Sequence, residues 1–242
     1  MKYDTISPGV KYIGVDDLDI DLFEGQYEVP LGVSYNSYLI LDEKIAIMDT
    51  VDATKTDEWV KNLDAALGGK TPDYLIVQHL EPDHGGSVKF IMEKYPNMTA
   101  ICSQKAVAMF KRFFDVDFGA RLQVVKEGET LSLGEHTLQF FMAPMVHWPE
   151  VLMSYEEKSG TLFSADAFGK FGALQNETDD WACEARRYYF NICGKYGTQV
   201  KNVLKKATSP CPQAICPLHG PVLRGAALQQ AVSLYGTWSS YE

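Results

Sequence analysis

In Tyr74-Leu75-Ile76-Val77-Gln78-His79-Leu80-Glu81-Pro82-Asp83-His84-Gly85-Gly86 a short apolar run breaks into two histidines, a glutamate and an aspartate, and then into paired glycines. Residues 74–78 have the texture of a buried strand, and the segment opened by Gly85 and Gly86 carries apolar residues at helical spacing to about Tyr95. Four side chains able to ligate a metal, His79, Glu81, Asp83 and His84, therefore crowd one strand-to-helix turn. Pro82 restricts Glu81 to extended backbone, so the turn is expected not to wind into helix. The two glycines are expected to leave the space around the site clear of side chains.

Outward from that turn, strand and helix alternate. Residues 34–42 and 44–49 read as β-rich strands joined by a short turn, and 56–67 follows with helical periodicity. Beyond the turn come a strand near 99–102, a helix near 104–114 and a strand at 123–125. The texture then becomes extended at 137–142, 151–155 and 161–164, with Gly134 and Ser159-Gly160 as turn residues. Helices return at 181–192 and 197–207, a strand at 214–216 runs into Pro217-Leu218-His219-Gly220-Pro221, and a last helix reaches Trp238. This succession predicts one mixed α/β domain across residues 1–242; two β-rich sheets flanked by helices would stack as four layers.

With 242 residues, 46% of them hydrophobic, the chain is long enough for one full core. A formal charge of -10 argues against nucleic acid or anionic lipid as a partner, since either needs a basic patch, and it favours basic over acidic donors. No basic-then-apolar leader and no run of eighteen apolar residues is present, so no membrane span is expected and the cytoplasm is the expected location. Cys102, Cys183, Cys193, Cys211 and Cys216 contain no Cys-x-x-Cys pair. That pattern fits a reducing compartment and argues against thiolate zinc or iron–sulfur ligation.

Three more candidate ligands stand just after expected strands: His147, Asp166 and His219. Strand ends are where mixed sheets present functional groups, because the strand fixes the backbone while the loop is free to vary. Taken singly, His147 beside Trp148 reads as a packed histidine and Asp166 as a turn residue or helix cap. Together with the turn they draw four of the five histidines into one scheme and leave His136 as an expected surface residue. Four imidazoles and three carboxylates exceed what one first-row ion uses and suit two ions sharing a carboxylate. Three carboxylates and a hydroxide bring two divalent ions near neutrality, and an oxo bridge or proton loss would balance their oxidation.

At these residues, and at Tyr35-Asn36-Ser37-Tyr38-Leu39-Ile40, His147-Trp148-Pro149-Glu150, Phe163-Ser164-Ala165-Asp166-Ala167-Phe168-Gly169, Tyr188-Tyr189-Phe190-Asn191-Ile192 and Leu218-His219-Gly220-Pro221, the sequence resembles the diiron domain of the flavodiiron proteins. That family is a branch of the metallo-β-lactamase superfamily, and the resemblance covers nearly the whole chain. Glu81 is its most diagnostic residue. Zinc hydrolases of the superfamily usually carry histidine there, and a carboxylate makes the site harder and better matched to iron. The resemblance implies an αββα four-layer sandwich, one iron held by His79, Glu81 and His147, a second by Asp83, His84 and His219, and Asp166 bridging the two. It also implies an open position on each iron for dioxygen or nitric oxide, with Tyr189 lining the pocket. Glu24 falls where some members place a pocket histidine. Family enzymes continue from a Tyr-x-x-Trp-like segment into a flavodoxin domain, whereas here Tyr235-Gly236-Thr237-Trp238 is followed by four residues, so tight FMN binding is not expected. In full-length members the flavin of one subunit serves the diiron site of the other, so a homodimer is a further implication.

Three functions follow from this reading. The first, preferred on sequence, is an oxygen-binding or oxygen-sensing diiron protein read by a signalling partner. The second is a dioxygen or nitric oxide reductase supplied by a separate flavoprotein or rubredoxin. The third is a binuclear zinc hydrolase using a metal-bound hydroxide, against which Glu81 counts.

Overall fold

Alternation along short strands gives each of two sheets one face for a shared core and one for helices. In a computed structural model, which describes residues 5–177 and 180–241, Tyr38, Ile40, Ala46, Met48, Ile76 and Ile101 pack into the same buried cluster as Leu138, Phe140, Leu152, Phe163 and Cys216 of the opposite sheet. The Tyr38 and Phe163 rings meet across the two sheets at 5.3 Å. The intervening residues Leu39, Ile47, Leu75, Met153, Leu162 and Ile215 belong to a second cluster, shared with the helices. Each such fully buried aliphatic side chain contributes about 1.5–3 kcal/mol.

The first sheet runs Thr5–Ser7, Val10–Tyr12, Tyr38–Ile40, Ala46–Met48, Tyr74–Ile76, Thr99–Ser103, Leu122–Val125 in spatial order. The second runs Thr130–Ser132, Thr137–Met142, Leu152–Glu156, Thr161–Phe163, Ala214–Cys216, Leu223–Arg224. Parallel pairs at Ala46–Met48 with Tyr74–Ile76, Tyr74–Ile76 with Thr99–Ser103, and Thr161–Phe163 with Ala214–Cys216 demand crossovers. Helices Thr56–Leu67, Val88–Lys94, Trp181–Ile192 and Gly197–Thr208 supply them. Gln104–Phe114 buries Ala106 and Phe110 against the first sheet, and Gly197–Thr208 buries Val200, Val203 and Ala207 against the second. The result is the αββα sandwich.

Two expectations change. The strand expected over 34–42 is split: Val33–Tyr35 pairs with Val15–Asp17 in a separate ribbon, and only Tyr38–Ile40 enters the main sheet. Asn36 sits at the break, its amide donating to the carbonyls of Pro217 and Gly220 at 2.8 Å each, which diverts the chain toward the His219 loop. His136 is not superficial but 3% exposed. Its N–H donates to Asp42 Oδ2 at 2.6 Å, its ring Nδ1 lies 3.0 Å from Glu156 Oε1, and it tucks beneath Gly9, where a Cβ would stand 2.5 Å from the imidazole.

Candidate metal centre

The His79–His84 segment leaves the Tyr74–Ile76 strand, and Glu81 is extended (φ -55, ψ 143), as a residue before proline must be. The segment nevertheless winds. Pro82 occupies the first position of the helical turn Pro82–Gly85, where its missing N–H costs nothing, so Asp83 and His84 sit on helix. The longer helix begins only at Val88. Gly86 serves close packing rather than site access: a Cβ there would stand 2.5 Å from Ala53 N and 2.6 Å from Pro82 O.

Three residues without a ligand role fix the centre, two of them on this segment and one at His219. Asp49, fully buried at the end of Ala46–Met48, accepts the Gln78 N–H and side-chain amide at 2.8 Å each and the His79 N–H at 3.3 Å. Burial pushes its carboxyl up to about 6. Glu150 Oε1 lies 2.8 Å from His79 Nδ1 and accepts the Leu80 N–H at 3.0 Å. On the opposite side, His219 Nδ1 donates to the Ser34 carbonyl at 2.7 Å. A proton held on Nδ1 by such a partner turns the Nε2 lone pair inward. Glu150 follows His147 by three residues, a spacing that could have drawn notice; a backbone carbonyl at Ser34 leaves no mark in sequence. Substituting Glu150→Gln should weaken metal binding about 10–100-fold by isothermal titration, the usual cost of losing an outer partner of a ligand histidine.

All seven candidate ligands converge. They form two groups, His79 with Glu81, His147 and Asp166, and Asp83 with His84 and His219. Glu81 Oε2 lies 2.9 Å from His147 Nε2 and 3.2 Å from His79 Nε2. Asp83 Oδ2 lies 3.2 Å from His219 Nε2 and 3.4 Å from His84 Nε2. Asp166 spans both groups: Oδ2 is 3.0 Å from His147 Nε2 and 3.4 Å from His79 Nε2, while Oδ1 is 3.1 Å from His84 Nε2 and 3.8 Å from His219 Nε2. Ligand bonds of about 2.0–2.2 Å place neighbouring donors about 3–3.5 Å apart around one ion. Both oxygens of Asp83 and Asp166 and the Nε2 atoms of His84 and His219 are buried without a hydrogen-bond partner among the described residues. Native proteins rarely leave such atoms unsatisfied. Two cations would satisfy them, so the donor set fits a dinuclear centre.

Without metal, the same groups pair with one another. Burial opposes charge on His147, but the Asp166 and Glu81 carboxylates outweigh it and hold the imidazole up at about 9; His79 is raised against burial by Asp166, Glu150 and Glu81, and His84 by Asp83 and Asp166. Burial likewise opposes charge on Asp166, and the His84 and His79 charges overcome it, keeping the carboxyl well below its usual range. A raised histidine stabilises the fold fully below its unfolded value of 6.5 and ceases to do so as pH rises through about 9. The metal-free protein should therefore lose thermal stability between those values. Metal must displace the same protons, so its affinity should rise over that window with measurable proton release. Titrations at several pH values showing constant affinity would contradict this.

A cavity of about 620 Å³ opens onto Glu81, Asp83 and His147, walled by Phe23, Tyr35 and Trp148. Glu24 lines it, raised to about 7 by burial and by the neighbouring Glu81 carboxyl. Tyr189 does not line it. On helix Trp181–Ile192 its ring turns toward Tyr235 and Trp238, at 5.0 and 5.4 Å, whereas Tyr188, one residue earlier, faces His219 at 5.5 Å. Adjacent helical residues point about 100° apart, and the sequence does not say which of the pair faces the site.

Residues 33–220 match the family described as ODP family beta lactamase. Rubredoxin-oxygen oxidoreductase of Megalodesulfovibrio gigas is 34% identical over 235 residues, covering 93% of this chain and 58% of that protein. Nitric oxide reductase of Moorella thermoacetica is 32% identical, covering 97% and 61%. The crystal structure of the flavodiiron protein from Giardia intestinalis superposes with a TM-score of 0.92 at 30% identity, covering 99% of this chain and 59% of that one. The chain thus spans about three-fifths of the length of these relatives. It belongs to the ODP beta-lactamase family, and its homologues are flavodiiron proteins.

Proposed function

We propose that this chain holds two iron ions and reduces dioxygen or nitric oxide with electrons from a separate donor, a rubredoxin or flavoprotein. The observation that carries the reading is Asp166, whose two carboxylate oxygens face separate histidine–carboxylate groups. His79, Glu81 and His147 would hold one ion, Asp83, His84 and His219 the other, with Asp166 between them. Iron held there would supply electron storage and affinity for a diatomic ligand. The chain's own residues do the rest. Glu150 and the Ser34 carbonyl orient two imidazoles, Phe23 and Trp148 wall the cavity, and Glu24 stands beside Glu81, whose neighbouring carboxylate together with partial burial raises its carboxyl and so favours its holding a proton there.

Relatives named for the reduction of oxygen and of nitric oxide support this reading, which we set above the oxygen-binding or sensing reading preferred on sequence. A reducing, cytoplasmic setting belongs to the same proposal, supported by five free cysteines. Among the described residues no helix is long and apolar enough to cross a membrane. The test combines metal analysis with gas uptake. Two irons per chain and rapid consumption of dioxygen or nitric oxide only in the presence of a reduced donor are expected. Two zincs with hydrolytic turnover, or a long-lived optical change in air without donor oxidation, would overturn it.

A further inference from the structure

Helix Gln104–Phe114 contains Lys105, Lys111 and Arg112 and no acid, in a chain whose formal charge is -10. All three cations are exposed, and none forms an ion pair among the described residues. Lys105, Met109, Arg112 and Phe113 recur at helical spacing and so form one stripe. Phe113, 47% exposed, is a large apolar side chain in the midst of this charge. Its ring meets Trp148 edge-on at 6.2 Å, and Trp148 in turn meets the His79 ring at 5.3 Å. Lys195 lines the same cavity as Trp148 from the other sheet's helical layer. The helix thus presents an exposed phenyl ring among its own unpaired cations, only two ring contacts from a candidate ligand.

We propose that the Lys105–Met109–Arg112–Phe113 stripe, with Trp148 behind it, is the docking surface for a small acidic one-electron carrier protein. The inference rests on the reading of the chain as a reductase with a separate donor and names where that donor sits. Charge complementarity selects the partner: a carrier with an acidic rim around its exposed cofactor edge is steered to this stripe, while the rest of the acidic surface repels it. The net charge, which favours basic donors, is misleading because association follows the local field.

The experiment measures binding of oxidised acidic rubredoxin to the metal-loaded and metal-free chain, at low and high salt, with basic cytochrome c as comparison. Wild type is expected to bind rubredoxin more tightly at low salt, and the double reversal K105E/R112E to weaken it about tenfold or more while flattening the salt dependence. F113A should weaken binding at high salt as well. Circular dichroism melts verify that the variants fold. Equal affinity in wild type and the double reversal, absence of rubredoxin binding, or equal binding of cytochrome c would overturn the docking surface. Dioxygen uptake by dithionite-reduced, metal-loaded protein needs no carrier; its absence would refute the reductase reading alone, and its presence beside unaltered carrier binding in the variants would refute the docking surface alone.

Discussion

Asp166→Ala is expected to empty both halves of the centre at once. Asp166 is fully buried, and each of its oxygens faces a different pair of imidazoles. Its loop is held for this purpose. Ala165 and Phe168 flank it in left-handed backbone (φ 50 and 68), a conformation that costs on the order of 1 kcal/mol or more for residues with a Cβ. The Tyr235 hydroxyl accepts the Phe168 N–H at 2.6 Å and helps fix that loop. Removing the carboxylate should weaken both ions by more than the roughly 10–100-fold typical of an outer partner. His84→Ala should instead strike mainly the ion shared with Asp83 and His219. Without metal, Asp166→Ala should also cost about 3–5 kcal/mol, because charged His79, His84 and His147 lose a buried counter-charge. Metal content by plasma emission, set beside urea unfolding of the metal-free proteins, reads both effects. Wild-type metal content in Asp166→Ala would contradict the bridging role.

The second large effect is expected at Asp49, which no ligand scheme includes. Its carboxylate is the acceptor for three N–H groups at the entrance to the metal-binding turn. Asp49→Ala leaves those donors buried without a partner, at about 1–3 kcal/mol each, so a loss on the order of 4 kcal/mol is expected. Position 49 is also left-handed (φ 54), which alanine tolerates less well than aspartate or asparagine. Asp49→Asn keeps an acceptor and that backbone preference, and it removes a charge that burial already disfavours. It should retain most of the stability, as judged by the shift in unfolding midpoint. If alanine and asparagine were equally damaging, the charge rather than the acceptor would be what matters.

The helices Thr56–Leu67, Gln104–Phe114 and Trp181–Ile192 were legible to the residue because each is long enough for its apolar face to recur several times. The short N-terminal strands Thr5–Ser7, Val10–Tyr12, Val15–Asp17, Leu22–Phe23 and Tyr27–Glu28 were not, since two or three residues carry no period. They exist because neighbours already in place offer free backbone groups, as Tyr38–Ile40 does to Val10–Tyr12. Pro82 shows a different failure. It holds Glu81 extended as expected, yet the same ring at the first position of a turn starts a helix as readily as it blocks one.

By itself the sequence determined the mixed α/β class and the donor chemistry of the centre, because hydrophobic period and side-chain type are local properties of the chain. Only the tertiary structure decided which groups meet: that Asp166 divides its oxygens between two clusters, that Glu150 and Ser34 set the tautomers of His79 and His219, that Tyr188 and not Tyr189 faces the site, and that His136 is buried. The physical reason is that these relations join residues as far apart as 34 and 219, through backbone atoms and directions that no residue type encodes.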